Sequence, residues 1–168
     1  GTDVLNELEG LHKQGIQYID PTDLSGAIRG RPNIYTHLEY LIKNAEKSVV
    51  IVTSANGLMR KIEALRPELE RLKKKNVKIR IASNMNKEAV KVAQDISKLA
   101  ELRVLDKINA RFAIIDAKDV MFMVMDGEEV HPSYDVGVWV KTPFFASALE
   151  DLFDITWKQL PSLSKSKI

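Results

Sequence analysis

The chain contains no cysteine. That excludes disulfides, thiolate nucleophiles and the usual thiolate-bearing structural zinc sites. Long apolar runs are missing too: none approaches the ~18 residues needed to span a bilayer. The first residues, GTDVLNELEG, lack the basic and apolar regions of a secretion signal, so a cytoplasmic location without membrane contact is expected. Aromatics make up only 7% of the residues, which argues against a stacking platform for single-stranded nucleic acid. An excess of either charge is also lacking. Lys plus Arg total 25 against 23 Asp plus Glu, and the formal net charge of +2 creates no strong field for DNA or membrane. The three histidines, His12, His37 and His131, share no metal-ligand spacing, and neither a metal nor a cofactor is expected.

What is present is enough apolar material for one domain, 45% of 168 residues. Val4, Leu8 and Leu11 form a stripe before Gly15, so residues 1–15 read as an N-terminal helix, either short or the end of a longer one. A Gly rather than a Met at position 1 implies further sequence upstream. Residues 16–160 look folded throughout, and the Ser- and Lys-rich end, 161–168, reads as a flexible tail.

Within the folded part the stretch PTDLSGAIRGRP reads as a loop, after which Asn33 can cap a helix with Ile34, Leu38, Leu41 and Ile42 inward. SVVIVT and VKIRIA read as buried strands, joined by a helix that Pro67 should kink or divide. This order favours a parallel pair with a right-handed crossover. Asn86 opens a further helix; LRVL, ARFAII, VMFMVM and VGVWV read as strands, with residues 116–119 a hairpin turn. Thr142 and Pro143 then start a last helix, with Phe145, Leu149, Leu152, Thr156 and Leu160 along one side. The expected class is α/β, a mixed sheet flanked by helices.

Two strand ends carry polar residues suited to a ligand. TSANG and ASNMN place Ser54, Asn56, Ser83 and Asn84 where helix N-termini leave free N–H groups. The same residues serve equally well as helix caps and turn formers. Arg29 and Arg31 around Gly30 could form a small phosphate-binding corner, but they lack the spacing of a phosphate loop and read rather as a solvated loop. His131 is the one histidine with a route to a site, but it has no evident partner.

The segment NARFAIID sets Asn109, Arg111 and Asp116 at i, i+2 and i+7. This resembles, in degenerate form, the His-x-Lys-x4-Asp signature of the phospholipase D superfamily. In that family the His attacks phosphorus while the Lys steadies the phosphoryl oxygens. An Asn amide nitrogen has its lone pair delocalised into the carbonyl and cannot take over the attack. Arg in place of Lys keeps anion affinity with altered geometry. The Gly-Ser-x-x-Asn element that follows the Asp in active members is replaced by MFMVMDG.

The wider sequence, from IRGRPNIYTHLEYLIKNAEKSVVIVTS through VKIRIAS and RFAIIDAKDVMFMV to VGVWVKTPFFASALEDLFDITWKQ, resembles the phospholipase D-like domain of archaeal TrmB-type transcription regulators. The resemblance implies a phospholipase D-like fold, a homodimer, and DNA contact only through a winged-helix domain outside this sequence. It further implies a catalytically inactive domain that binds a small-molecule or anionic effector near Ser54, Asn56, Ser83, Asn84 and Arg111. In sugar-responsive members a further C-terminal subdomain helps to hold the sugar, so sugar sensing is not expected of these residues alone. The alternative is a phospholipase D-like phosphodiesterase or nuclease with a relocated nucleophile, for which His131 is the candidate.

Overall fold

The computed structural model describes residues 3–6 and 19–165. Residues 3–6 are helical and exposed, whereas Leu8, Leu11 and Gly15 of the expected N-terminal helix, like residues 166–168 of the tail, lie outside the described residues. Seven strands form one sheet in the order β1-β7-β6-β5-β2-β3-β4. These are β1 (Ser25–Arg29), β2 (Ser48–Thr53), β3 (Lys78–Ser83), β4 (Glu101–Val104), β5 (Phe112–Ile115), β6 (Asp119–Met123) and β7 (Val136–Lys141). The β2-β3-β4 third is parallel, and every other pairing is antiparallel. The expected mixed α/β architecture is therefore the one observed.

Alternation along the central strands divides the core in two. Val49, Ile51, Ile79, Ile81, Ala113 and Met121 face α2 (Arg31–Lys43), α3 (Ala55–Lys74) and α4 (Lys87–Asp95), which follow a four-residue α1 (Pro21–Leu24). Val50, Val52, Ala82, Ile114 and Val120 face α5 (Pro143–Trp157). Arg80 lies on this second side, donating to Asp154 Oδ1 at 2.7 Å and stacking 5.0 Å from the Phe153 ring centroid.

Five readings of the sequence change here. Asn33 is the third residue of α2, whose N-cap is Gly30, and its side chain donates to the Arg29 carbonyl at 2.9 Å instead of capping. Residues 161–165 of the expected flexible tail are docked, the Pro161 carbonyl accepting the Val104 N–H at 2.9 Å and Leu163 packing against the core. The stretch read as a loop contains α1 and the edge strand β1, which owes its form to pairing with β7 rather than to an apolar alternation of its own. Helix α3 runs unbroken through Pro67. That proline is exposed, so water can satisfy the Glu63 carbonyl it leaves free, while Leu58, Ile62, Leu65, Leu69 and Leu72 hold the helix on the sheet. The buried stripe of α5 is Ala146, Phe153 and Trp157, about one residue out of phase with the expected side. Apolar residues cover a broad arc of that helix, opposite Ser147, Glu150, Asp151 and Asp154, and Leu152 and Ile155 remain 64% and 61% exposed.

The turn between β5 and β6 is built by Asp116 and Ala117, both left-handed at φ 57° and 52°. Its carboxylate accepts the N–H groups of Glu46, Lys47 and Ser48 at 2.9, 2.7 and 3.0 Å, fastening the hairpin to the start of β2. Removing charged acceptors of this kind costs about 1.5–3 kcal/mol, so Asp116→Ala is expected to lose that much in urea denaturation. Ala117→Gly should gain about 0.5–1 kcal/mol, because an alanine Cβ is strained at positive φ. Changes below about 0.5 kcal/mol in both variants would refute this account of the turn.

Candidate functional site

Four chain segments converge at the end of the sheet opposite the Asp116 turn. Strand β2 ends at Thr53, and Ser54 caps α3 by accepting the Gly57 N–H at 3.1 Å. Strand β3 ends at Ser83, followed by Asn84, whose side-chain amide donates to the Leu105 and Ile108 carbonyls at 3.2 and 3.3 Å. Arg111 immediately precedes β5, and the chain leaving β6 returns over it through Met125 to Glu128. Together they enclose a cavity of about 340 Å³ lined by Ser54, Asn84, Asn109, Arg111, Met125, Asp126 and Glu128, among others. A larger hollow, about 620 Å³, lies between α4, β4 and residues 162–164 and has no buried charge in its wall.

Beneath the smaller cavity lies a cluster of buried ions. Asp135, 1% exposed, accepts from Arg31 Nε at 3.1 Å and from Arg111 Nη2 at 3.2 Å. Arg111 also donates to the Met125 carbonyl at 2.7 Å, and Arg31 to the Gly127 carbonyl at 3.0 Å. Gly127 lies against the Arg111 guanidinium so closely that an added Cβ would stand 2.7 Å from its Nη1. At Gly30, φ is 92°, which lets its N–H reach the Asp135 backbone carbonyl at 2.8 Å and sets the start of α2. Asp135 thereby gathers α2, β5 and β7 around one carboxylate.

The third buried cation is Lys61 on α3, 1% exposed. Its ammonium donates to Thr53 Oγ1 at 3.1 Å and sits 5.7 Å from the Tyr35 ring centroid. Burial lowers its pKa to about 7; Arg111, Arg60 and Arg31 push the same way, and Asp135 opposes them. Isolation from water disfavours the charged form, and nearby cations add to the effect.

A family model described as "Transcriptional regulator TrmB, EBD N-terminal subdomain" matches residues 26–160. The chain belongs to the TrmB family. Among solved structures it resembles TrmBL2, described as an archaeal chromatin protein with a novel mode of DNA binding. That match has a TM-score of 0.65 at 18% identity over 96% of this chain, which spans 61% of the TrmBL2 chain. It also resembles two phospholipase D-fold proteins. For Nuc from Salmonella typhimurium the TM-score is 0.61 at 12% identity, covering 82% of this chain and 97% of that one. For NucT from Helicobacter pylori it is 0.63 at 15% identity, covering 82% and 98%. Such identities establish a shared phospholipase D-like fold and leave chemistry to the residues. No curated protein matches the sequence significantly.

In this TrmB-family domain Ser54, Asn84, Asn109 and Arg111 line the same cavity. Asn56 stands beside it, donating to Glu128 at 2.8 Å. Ser83 is fully buried and donates to the Ser54 and Asn84 carbonyls at 3.2 and 2.8 Å, a structural position behind the wall. Asp116 lies five residues along an extended segment from Arg111, about 17 Å at strand rise, and belongs to the turn at the far end. His131 is exposed, its Nδ1 accepting the Ser133 N–H at 3.1 Å, and it is not among the cavity-lining residues. The sequence reading missed Lys61 and Asp135, and it took Arg31 for a solvated loop residue where it is largely buried and paired with Asp135. Lys61 had a signal, since it falls three residues after Leu58 and four before Leu65, on the buried stripe of α3.

Because Lys61 has a lower pKa folded than its ordinary 10.5, the unfolded chain holds the extra proton between about pH 7 and 10. Stability is therefore expected to rise through that window, by on the order of 1–2 kcal/mol from pH 7 to 9. The burden is full below about pH 7, where the folded protein must carry a buried charge. Lys61→Met should flatten the rise in urea titrations. An unchanged pH dependence in that variant would exclude Lys61 as its source.

Proposed function

We propose that residues 16–160 form a non-catalytic, effector-binding and dimerising regulatory domain. In this reading residues 1–15 contribute to a dimerisation helix, and DNA is contacted by a winged-helix domain outside residues 1–168. The family match and the likeness to TrmBL2 support a regulator. One observation carries the absence of catalysis: at the mouth of a cavity with a cationic floor, the position of the family's attacking imidazole holds Asn109. Its amide nitrogen, unlike an imidazole nitrogen, has no lone pair free to bond phosphorus. Arg111 is held by Asp135 and the Met125 carbonyl, which orients a guanidinium in the cavity wall without supplying a nucleophile.

Effector binding would act by population shift. A ligand favouring one arrangement of the dimer changes the spacing of the attached DNA-binding domains, and with it the fit to paired half-sites. The near-balanced charge of this domain predicts weak, nonspecific contact with DNA on its own.

Thermal-shift screening against metabolites and anions is expected to yield a stabilising ligand. A free concentration of about 100 Kd corresponds to ~2.7 kcal/mol of stabilisation. Asn109→Trp, a change at an exposed mouth residue, should block the cavity and abolish the shift without unfolding the domain. A ligand unaffected by that variant would bind elsewhere and refute this site. Turnover of an activated phosphodiester that disappears in His131→Ala would replace regulation with a phosphodiesterase.

A further inference from the structure

The cluster under the cavity is unbalanced. Among the described residues, Arg31, Lys61 and Arg111 are all largely buried and gather around one buried carboxylate, Asp135. Two of the three cations bond directly to it. Lys61 does not: its one hydrogen bond goes to the neutral Thr53 hydroxyl, leaving two ammonium protons without an acceptor. The Tyr35 hydroxyl and two guanidinium nitrogens of Arg60 are likewise buried without partners. Buried donors in such excess are costly when no acceptor meets them. An oxyanion in the cavity above would supply the missing negative charge.

Resting on the proposed effector pocket, we propose that Lys61 is its proton-loading anchor: when a phosphate-, sulfate- or carboxylate-bearing ligand settles against Arg111, Lys61 takes up one proton from solvent.

The coupling follows from what surrounds the ammonium. Arg31 and Tyr35 face it from α2, Arg60 from its own helix, Arg111 from the start of β5, and Asp135 from the segment before β7. Of these charges Arg111 disfavours the protonated form most, and Arg111 is also the cation in the cavity wall. An anion bound there offsets the repulsion that Arg111 exerts, so the lysine gains a proton without touching the ligand. Occupying ligand and loaded lysine then stabilise each other, as linkage requires. Two carboxylates at the rim, Asp126 and Glu128, oppose an incoming anion. Both are exposed, and Glu128 already holds the Asn56 amide, so solvent and salt weaken them far more than the buried cations.

Sulfate is the suitable probe, because it does not titrate between pH 6.5 and 9, unlike phosphate. Calorimetric titration at pH 8 in Tris and in HEPES, whose ionisation enthalpies differ, reads the number of protons taken up. The wild-type domain is expected to take up a large fraction of one proton per sulfate and to lose affinity up to about tenfold per pH unit above neutrality. Lys61→Met, close in volume to the original and without its charge, should bind sulfate more weakly at pH 6.5, with no uptake and no pH dependence. Carbon-13 titration of the Lys61 ε-methylene in the free protein should show the proton leaving near neutrality.

Sulfate binding that Asn109→Trp blocks but that carries no proton uptake would overturn the role of Lys61 and leave the effector pocket standing. Uptake that persists in Lys61→Met, or an ε-methylene that titrates at the ordinary lysine value, would overturn it as well. If sulfate fails to bind while a metabolite does so in a manner sensitive to Asn109→Trp, the anion coupling falls and the pocket survives. If nothing binds that Asn109→Trp can block, both fall together.

Discussion

The buried carboxylate of Asp135 is the interaction on which the organisation of the cavity depends. Its side chain holds Arg31 and Arg111, while its backbone carbonyl receives the N–H of Gly30, so three separate elements are oriented by one residue. Placing a carboxylate out of water is unfavourable unless its lone pairs are filled, and here two guanidinium groups fill them. Removing either arginine would leave part of that charge uncompensated. The arginines would fare no better without the carboxylate. Each guanidinium also donates to a carbonyl of the segment after β6, so the ion cluster fixes the strand ends and the loop that roofs them.

The mixed sheet follows from where its apolar residues lie. SVVIVT is apolar on consecutive positions because helices cover both of its faces, KIRIAS differs by turning Arg80 toward α5, and their parallel pairing needs the long crossover that α3 supplies. The later strands pair antiparallel, β5 and β6 through a tight turn and β6 and β7 through the segment 124–135 that roofs the cavity. The polar cavity opens where β2 and β3 end and helices begin, which is the general position for ligands in open α/β sheets. Three helices cover one side of this sheet and a single helix covers the other.

Much of this was legible in the residues. The central strands, the caps at Asn86 and Thr142, and the hairpin turn at residues 116–119 all follow from local pattern. Edge strand β1 was not, since SGAIR has too few apolar residues to alternate and becomes extended through its partner. The phase of α5 was lost for the opposite reason: its apolar arc is wider than the face it buries. At the site, strand-end polarity picked out Ser54 and Asn84 and the phospholipase D-like spacing picked out Arg111, but Asp135 and Arg31 are far from them in sequence. No spacing rule joins residues 31, 111 and 135. Only the sheet order does, by bringing β7 and the start of α2 beside the β5–β6 hairpin.

The clasp between Asp116 and the amides of residues 46–48 bears on how signature patterns should be interpreted. Its carboxylate serves architecture at one pole of the domain, while the polar cavity lies at the other. An aspartate seven positions after Asn109 therefore has an architectural reason to be there that is independent of any chemistry, because losing it would unfasten the hairpin. A search that weighs this spacing by its aspartate responds to architecture; the letter that reports electron donation to phosphorus is the first of the three.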